Sequence, residues 1–197
     1  MPRVTEAHRE ARRAQIRAAA LRAFTAKGYH RTSVADVVAE SGLSAGAIYG
    51  HYAGKSELFA AVVEELLGRR AQEIVDASRD GVPPSPMRVL ELLTSGMLRD
   101  LEDGRLLVQL WSEATVDPEI RAVVQDVART VRQVVGDALR AWYATREDLA
   151  PDGVDVAAER LVPVMMALGQ GFIFQRSLVD DFDPDGYLAG ARAVLPR

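Results

Sequence analysis

Between its breakers, nearly every stretch of this chain repeats apolar residues at three- and four-residue steps. No stretch alternates apolar and polar residues over four to eight positions with β-branched enrichment. The first pattern puts one face of a helix against a core, and the missing second pattern is the signature of a half-buried strand. The breakers fall at helical spacing: Gly28, Gly42, Gly54, Gly81–Pro84, Gly104, Asp117–Pro118, Pro151–Gly153 and Asp183–Pro184. An all-α fold of about nine helices follows. They are expected at 6–27, from 32 or 33 to about 41, 45–50, 55–79, 86–103, 105–115, 118–147, 153–179 and 185–195. Ser85-Pro86, Asp117-Pro118 and Asp183-Pro184 each pair a capping residue with proline at the first helical position. Ser33-x-x-Asp36 resembles a capping box, with Asp for the usual Glu or Gln.

Composition removes several classes. With no cysteine there is no disulfide, thiol nucleophile, zinc ribbon or iron–sulfur ligation. The longest near-apolar run, Leu161–Phe174, is interrupted by Gln170 and falls short of the about 20 residues of a membrane span, so it reads as a core helix. The charged N-terminus lacks an apolar signal region, which makes the cytoplasm the expected location and a membrane an unexpected partner. Asp181-x-Asp183-x-Asp185-Gly186 copies half of a calcium loop. Arg192 stands where the bidentate Glu belongs, so the run reads as a turn and helix cap. His8, His30 and His51 are too scattered for a metal site. No hydrolase elbow, phosphate loop, dinucleotide fingerprint or zinc-protease motif occurs, and no cofactor or metal is expected.

Charge divides the chain. Residues 1–55 hold nine Lys/Arg against four Asp/Glu, whereas residues 56–197 hold fifteen against twenty-four. A basic head on an acidic body suits a polyanion at the head, although charge alone fits a solvated helix as well. We divide the chain accordingly into a head, 1–55, and a body, 56–197.

Thr32–Lys55, TSVADVVAESGLSAGAIYGHYAGK, carries the specific signal. Two short helices around a glycine turn, with Val34, Val37, Val38, Leu43 and Ile48 inward, make a helix-turn-helix. The second helix of such a motif enters the DNA major groove. A plain helical hairpin shares the pattern, and the flanking Tyr49, His51, Tyr52 and Lys55 tilt the reading toward DNA. Tyr49 and Tyr52 lie three apart, so one can pack inward while the other faces out. Lys55 opens the fourth helix, where free N–H groups and the dipole favour an anion.

Residues 16–59 resemble the N-terminal DNA-binding domain of the TetR (tetracycline repressor) family. The resemblance rests on Phe24, Gly28, Tyr29, Thr32, Gly42, Leu43, Ser44, Gly46, Ile48, Tyr49, His51, Tyr52 and Lys55. It implies a homodimeric, ligand-responsive regulator, by family default a repressor, that binds a pseudo-palindromic double-stranded DNA operator and is released by a small-molecule effector. It also implies that Thr32, Ser33, Tyr49, His51 and Lys55 contact the sugar-phosphate backbone and that Ser44, Ala45 and Gly46 face base edges. Ala45, Ala47 and Gly50 depart from the family's longer residues, so base contacts would be thymine methyls and close backbone.

The resemblance makes the body an effector-binding and dimerisation domain whose last two helices pair with a partner's. Val164, Leu168, Gly171, Phe174, Tyr187 and Leu188 are the candidate interface residues, and a monomer's core helix is the plainer reading. Met97, Leu107, Trp111, Trp142, Met165, Met166, Gln170 and Phe172 are candidates to line the pocket, against ordinary core packing. The alternative function is a helical carrier or enzyme using that pocket. No catalytic constellation singles one out.

Overall fold

The computed structural model describes residues 6–79, 81–101 and 104–197, without the side chains of 97–101. The described residues form nine α-helices and one 3-10 turn, with no strand among them. The helices are α1 Glu6–Lys27, α2 Val34–Ser41, α3 Ala45–Tyr49, α4 Lys55–Arg79, α5 Pro86–Leu101, α6 Arg105–Ala114, α7 Pro118–Tyr143, α8 Val154–Leu178 and α9 Pro184–Val194. The sequence expectation overran α7 by four residues. The helix ends at Tyr143, where Thr145 turns back to donate its hydroxyl to the Trp142 carbonyl, and a 3-10 turn follows at Glu147–Leu149.

Local chemistry accounts for most helix ends. Ser33 accepts from the Asp36 amide at 3.2 Å while Asp36 Oδ2 accepts from the Ser33 amide at 2.8 Å, which closes the capping box on α2. Gly42, at φ 68°, lets the Gly42 amide reach the Val38 carbonyl and ends α2 in a left-handed cap. Asp117 accepts from the amides of Glu119 and Ile120, Asp183 from that of Asp185, and Ser85 from that of Arg88. At each of these starts proline occupies a position whose amide needs no partner.

Helices α1, α2 and α3 fold over the N-terminal half of α4. Phe24 packs edge-on to Phe59, with ring centres 5.0 Å apart, and Tyr29 packs on the same ring at 4.5 Å. This core does not close on itself. Leu58, Phe59, Val62, Val63 and Leu66 of α4 continue it into Leu106, Leu107 and Leu110 of α6, Ile120 of α7 and Ile173 of α8. A second core joins α5, α7, α8 and α9 around Leu90, Leu139, Trp142 and Met165. The expected boundary at residue 55 therefore divides charge and motif, while the apolar packing runs through it.

Helix α8 has the length and hydropathy of a membrane span, yet it packs as a bundle helix. Ala158, Met165 and Phe172 face the core. Val164, Phe174 and Leu178 stand outside, so within one chain the helix is a core helix on one face only.

Candidate nucleic-acid interface and effector cavity

The helix-turn-helix is held from within. Ile48 is fully buried and anchors α3. The Ser44 hydroxyl accepts from the Ala47 amide at 3.2 Å. A five-residue helix cannot hold itself in water, so this anchor and cap fix it. Ser44, Ala45, Gly46 and Tyr49 then face outward, with Tyr49 55% exposed. Tyr52 turns the other way, is buried, and receives a long hydrogen bond from Arg17. At Gly46 an added Cβ would meet nothing closer than 4.0 Å, so another surface can approach the backbone there.

The expected phosphate contacts divide. Ser33, Tyr49 and His51 stand at least partly in the open. The Ser33 hydroxyl is held at 2.7 Å by Asp36 Oδ2. Asp36 is itself bound by Lys27 at 2.6 Å. The Lys27 hydrogen bond and then the two from Ser33 hold the Asp36 carboxyl far below the usual carboxylate range. Thr32 calls for a correction. It is 2% exposed and donates its hydroxyl to the carbonyls of Ala23 and Gly28, so it ties down the end of α1 and is turned away from any external phosphate. Lys55 is half-buried. Its ammonium donates to the Tyr29 carbonyl at 3.1 Å and the His30 carbonyl at 3.4 Å, and lies 4.3 Å from the centre of the Tyr29 ring. It clamps the α1–α2 turn while keeping its charge at the rim of the motif.

Three of the head's nine cations are closely ion-paired. Arg22 meets Glu40, Lys27 meets Asp36, and Arg17 meets Glu10 and Glu65. Burial works against the charge of Arg17, but its hydrogen bonds to Glu10, Glu65 and Tyr52 prevail and hold the guanidinium protonated.

The turn between α1 and α2 also touches the body. The Tyr29 amide donates to Gln109 Oε1 at 2.8 Å, and His30 Nε2 lies 2.6 Å from Glu113 Oε1. Gln109 and Glu113 are one turn apart on α6. Sequence reasoning missed both, because their partners lie about eighty residues away and an isolated Gln or Glu on a short helix carries no signal.

Helix α6 borders the cavity as well. A hollow of about 140 Å³ is walled by α4, α5, α6, α7 and α8. Of the expected lining residues, Trp111, Met165, Met166 and Gln170 are on its wall. Leu107, Trp142 and Phe172 are not among the lining residues. Leu107 completes the core under the head, Trp142 packs on Tyr143, and Phe172 packs between Phe182 and Tyr187. Met97 lies on α5, and its side chain is outside the described residues. Sequence reasoning missed Arg70. It lines the cavity at 4% exposure, with Glu73 at 3.0 Å from Nη1. In the run Gly68-Arg69-Arg70-Ala71-Gln72-Glu73 it reads as part of a solvated face.

The expected interface residues also divide. Val164, Ala167, Gly171, Phe174 and Leu178 recur at steps of three and four along α8, and all but the half-buried Gly171 are exposed. Such a stripe is an apolar seam of the kind paired helices bury. Phe174 is 43% exposed and its inner face stacks on Trp111, with ring centres 5.5 Å apart. Leu168 and Leu188 are half-buried against the second core. Tyr187 closes inside the subunit. Its hydroxyl donates to the Leu168 carbonyl at 2.8 Å, and a Cβ at Gly171 would lie 2.9 Å from it. Burial pushes the Tyr187 phenol up, which keeps it a donor.

A short helix with an outward reading face, set on an aromatic core and backed by a bundle, matches known proteins. The family model for bacterial regulatory proteins of the tetR family matches residues 16–62. That segment of the chain is similar to the tetR family. YfiR of Bacillus subtilis (strain 168), an uncharacterised HTH-type transcriptional regulator, is 36% identical over 109 residues, which cover 55% of this chain and 53% of YfiR. The matched segment spans about half the length of the first curated relatives. Solved structures extend the likeness of fold to the body. A TetR transcription regulator from Haloarcula marismortui superposes with a TM-score of 0.75 at 21% identity, covering 93% of this chain and 94% of that one. A transcriptional regulator of Saccharomonospora viridis, solved in complex with choline, gives 0.69 at 21% identity, covering 96% and 100%.

Proposed function

We propose that this protein is a tetR-family repressor without enzymatic activity, working in the cytoplasm. In this reading it binds a pseudo-palindromic operator as a homodimer and leaves it when a small molecule enters the body. The observation that carries the reading is α3. Its outward face is made of Ser44, Ala45, Gly46 and Tyr49 on a helix too short to exist for its own stability. Ala45 offers a methyl to thymine, Gly46 lets the backbone come close, and Ser44 hydrogen-bonds a base edge. Ser33, Tyr49 and His51 take phosphates, and Lys55 adds charge at the rim. Thr32 supports the turn from inside.

The apolar stripe of α8 supports the dimer, because a two-fold contact buries the same surface on both copies. Two heads on one axis then read half-sites about 34 Å apart, or a multiple of that. Release runs through α6. Leu110 and Trp111 border the cavity while Gln109 and Glu113 hold the α1–α2 turn. A guest that shifts α6 therefore pulls on the head directly, and α4 supplies a second route. That the Saccharomonospora viridis neighbour of this fold was solved in complex with choline supports reading this chain as one that binds a small molecule.

The test is fluorescence anisotropy on DNA from upstream of the chain's own gene and on scrambled DNA, across a range of salt. Binding to the first should exceed binding to the second by about a thousandfold or more at physiological salt. Equal affinity at every salt concentration would overturn the reading.

A further inference from the structure

The hollow in the body is small, and the polar groups on its wall are few. A volume of about 140 Å³ matches the apolar cavities that accept a benzene-sized molecule, near 150 Å³. It holds one aromatic ring and not a long acyl chain or fused rings. The wall is aliphatic and thioether over most of its surface, with Val63, Val127, Met165 and Ile173 among its residues and the Trp111 indole beside them.

Besides that indole, the polar side chains among the described lining residues are those of Arg70 and Gln170. They stand in opposite situations. Arg70 is buried at 4% exposure, and its charge is already matched by Glu73, with Oε1 3.0 Å from Nη1. Its guanidinium is also wedged against α5, so closely that a Cβ at Gly96 would fall 1.5 Å from Nη1. Residue 96 must therefore lack a side chain for the guanidinium to stand where it does. A carboxylate guest would have to share the guanidinium with Glu73. A cationic guest would stand beside that guanidinium, and Glu73 is not among the lining residues. Either ion sheds its water on entering an apolar site without gaining an unshared opposite charge, and burial makes that costly. An uncharged ring has no such cost. Gln170, by contrast, is exposed, so it marks where the hollow meets solvent. Its amide offers a donor and an acceptor without a charge.

We propose that the cavity binds an uncharged one-ring aromatic compound with a single hydrogen-bonding group. The ring lies among the aliphatic and indole groups, and the polar group lies beside Gln170. This rests on reading the cavity as the effector site, and it names the chemical class of the effector.

The test titrates the full chain, without DNA, by calorimetry at neutral pH. Phenol is uncharged there, benzoate negative and benzamidine positive, and each has one ring. Phenol should bind at least about tenfold more tightly than either ion. A naphthol, with fused rings, should bind more weakly than phenol. Gln170→Leu should weaken phenol while leaving toluene unchanged, and Ala128→Leu, which fills the cavity from α7, should weaken both. Either ion or the naphthol binding as tightly as phenol, or no phenol binding at millimolar concentration, overturns the proposal. The probe series on the unaltered chain decides the matter even if a variant fails to fold. Operator anisotropy with and without phenol is read separately. Phenol that binds yet leaves operator affinity unchanged overturns the effector reading of the cavity while the class of guest stands.

Discussion

In the head, polar side chains close on one another and on the backbone. Asp36 takes Lys27 and Ser33, Thr32 takes two carbonyls of its own turn, and Lys55 spans to two more. In the body, one guanidinium borders a hollow that is otherwise nearly all apolar. In the proposed function the two regions face different recognition problems. A duplex is recognised over a wide surface, so the residues that meet it must be held in fixed relation before it arrives. A small guest offers little surface, so a hollow must enclose most of it to hold it.

The comparison is tested most severely by a body lesion that should disable the head. Phe174→Arg puts a charge in the middle of the α8 stripe and unstacks Trp111. The chain should sediment as a monomer at micromolar concentration, and operator affinity should fall by about a thousandfold toward its non-specific level. The head should remain folded by circular dichroism. A monomer that still binds operator fully would remove the dimer from the account.

Gly96→Ala attacks the placement of Arg70. The new methyl cannot share space with the guanidinium, and overpacking of this kind costs about 1–3 kcal/mol. Calorimetric melting should show that loss.

Lys55→Ala asks how far the head's internal closure extends. Losing two hydrogen bonds and a ring contact should cost about 1–2 kcal/mol of stability. If the ammonium also meets a phosphate, the slope of log K against log salt should fall in magnitude by about one, equally for operator and scrambled DNA. An unchanged slope would make Lys55 a clamp alone.

Gln109→Ala should cost about 1 kcal/mol by leaving the Tyr29 amide without its acceptor. Calorimetric melting of wild type and variant should show that loss. The smallest effect belongs to Asp36→Asn. The folded carboxyl titrates below its unfolded value of about 3.9, so its contribution is present above that value and is lost as pH falls through the depressed one. Melting temperatures of wild type and variant should therefore differ at neutral pH and converge in acid. A gap that persists unchanged in acid would mean that the ion pair with Lys27 carries no stability.

Local chemistry was the part that sequence could carry. The Ser33–Asp36 box and the three proline starts are set by residues a few positions apart, and they stand as the pattern implied. So does the outward face of α3 around the buried Ile48, whereas the spacing left open which of Tyr49 and Tyr52 turns inward. What failed to show were choices made across long separations. Thr32 is a typical capping residue, and only the fold turns its hydroxyl into the end of α1. Arg70 looks solvated until α5 closes over it at Gly96. Trp142 and Phe172 have the composition of a pocket wall, but their own aromatic neighbours claim them first.

The continuous core under the head has a consequence for how such proteins can be recombined. A hybrid joined at residue 55 would carry the reading helix away from Phe59, Val63 and Leu107, on which its aromatic support rests. Grafting this specificity onto another body would mean moving the first half of α4 together with the face of α6 that carries Leu106, Leu107 and Gln109. The smallest transplantable unit is thus discontinuous in the chain, and the reading head is inherited together with its hinge.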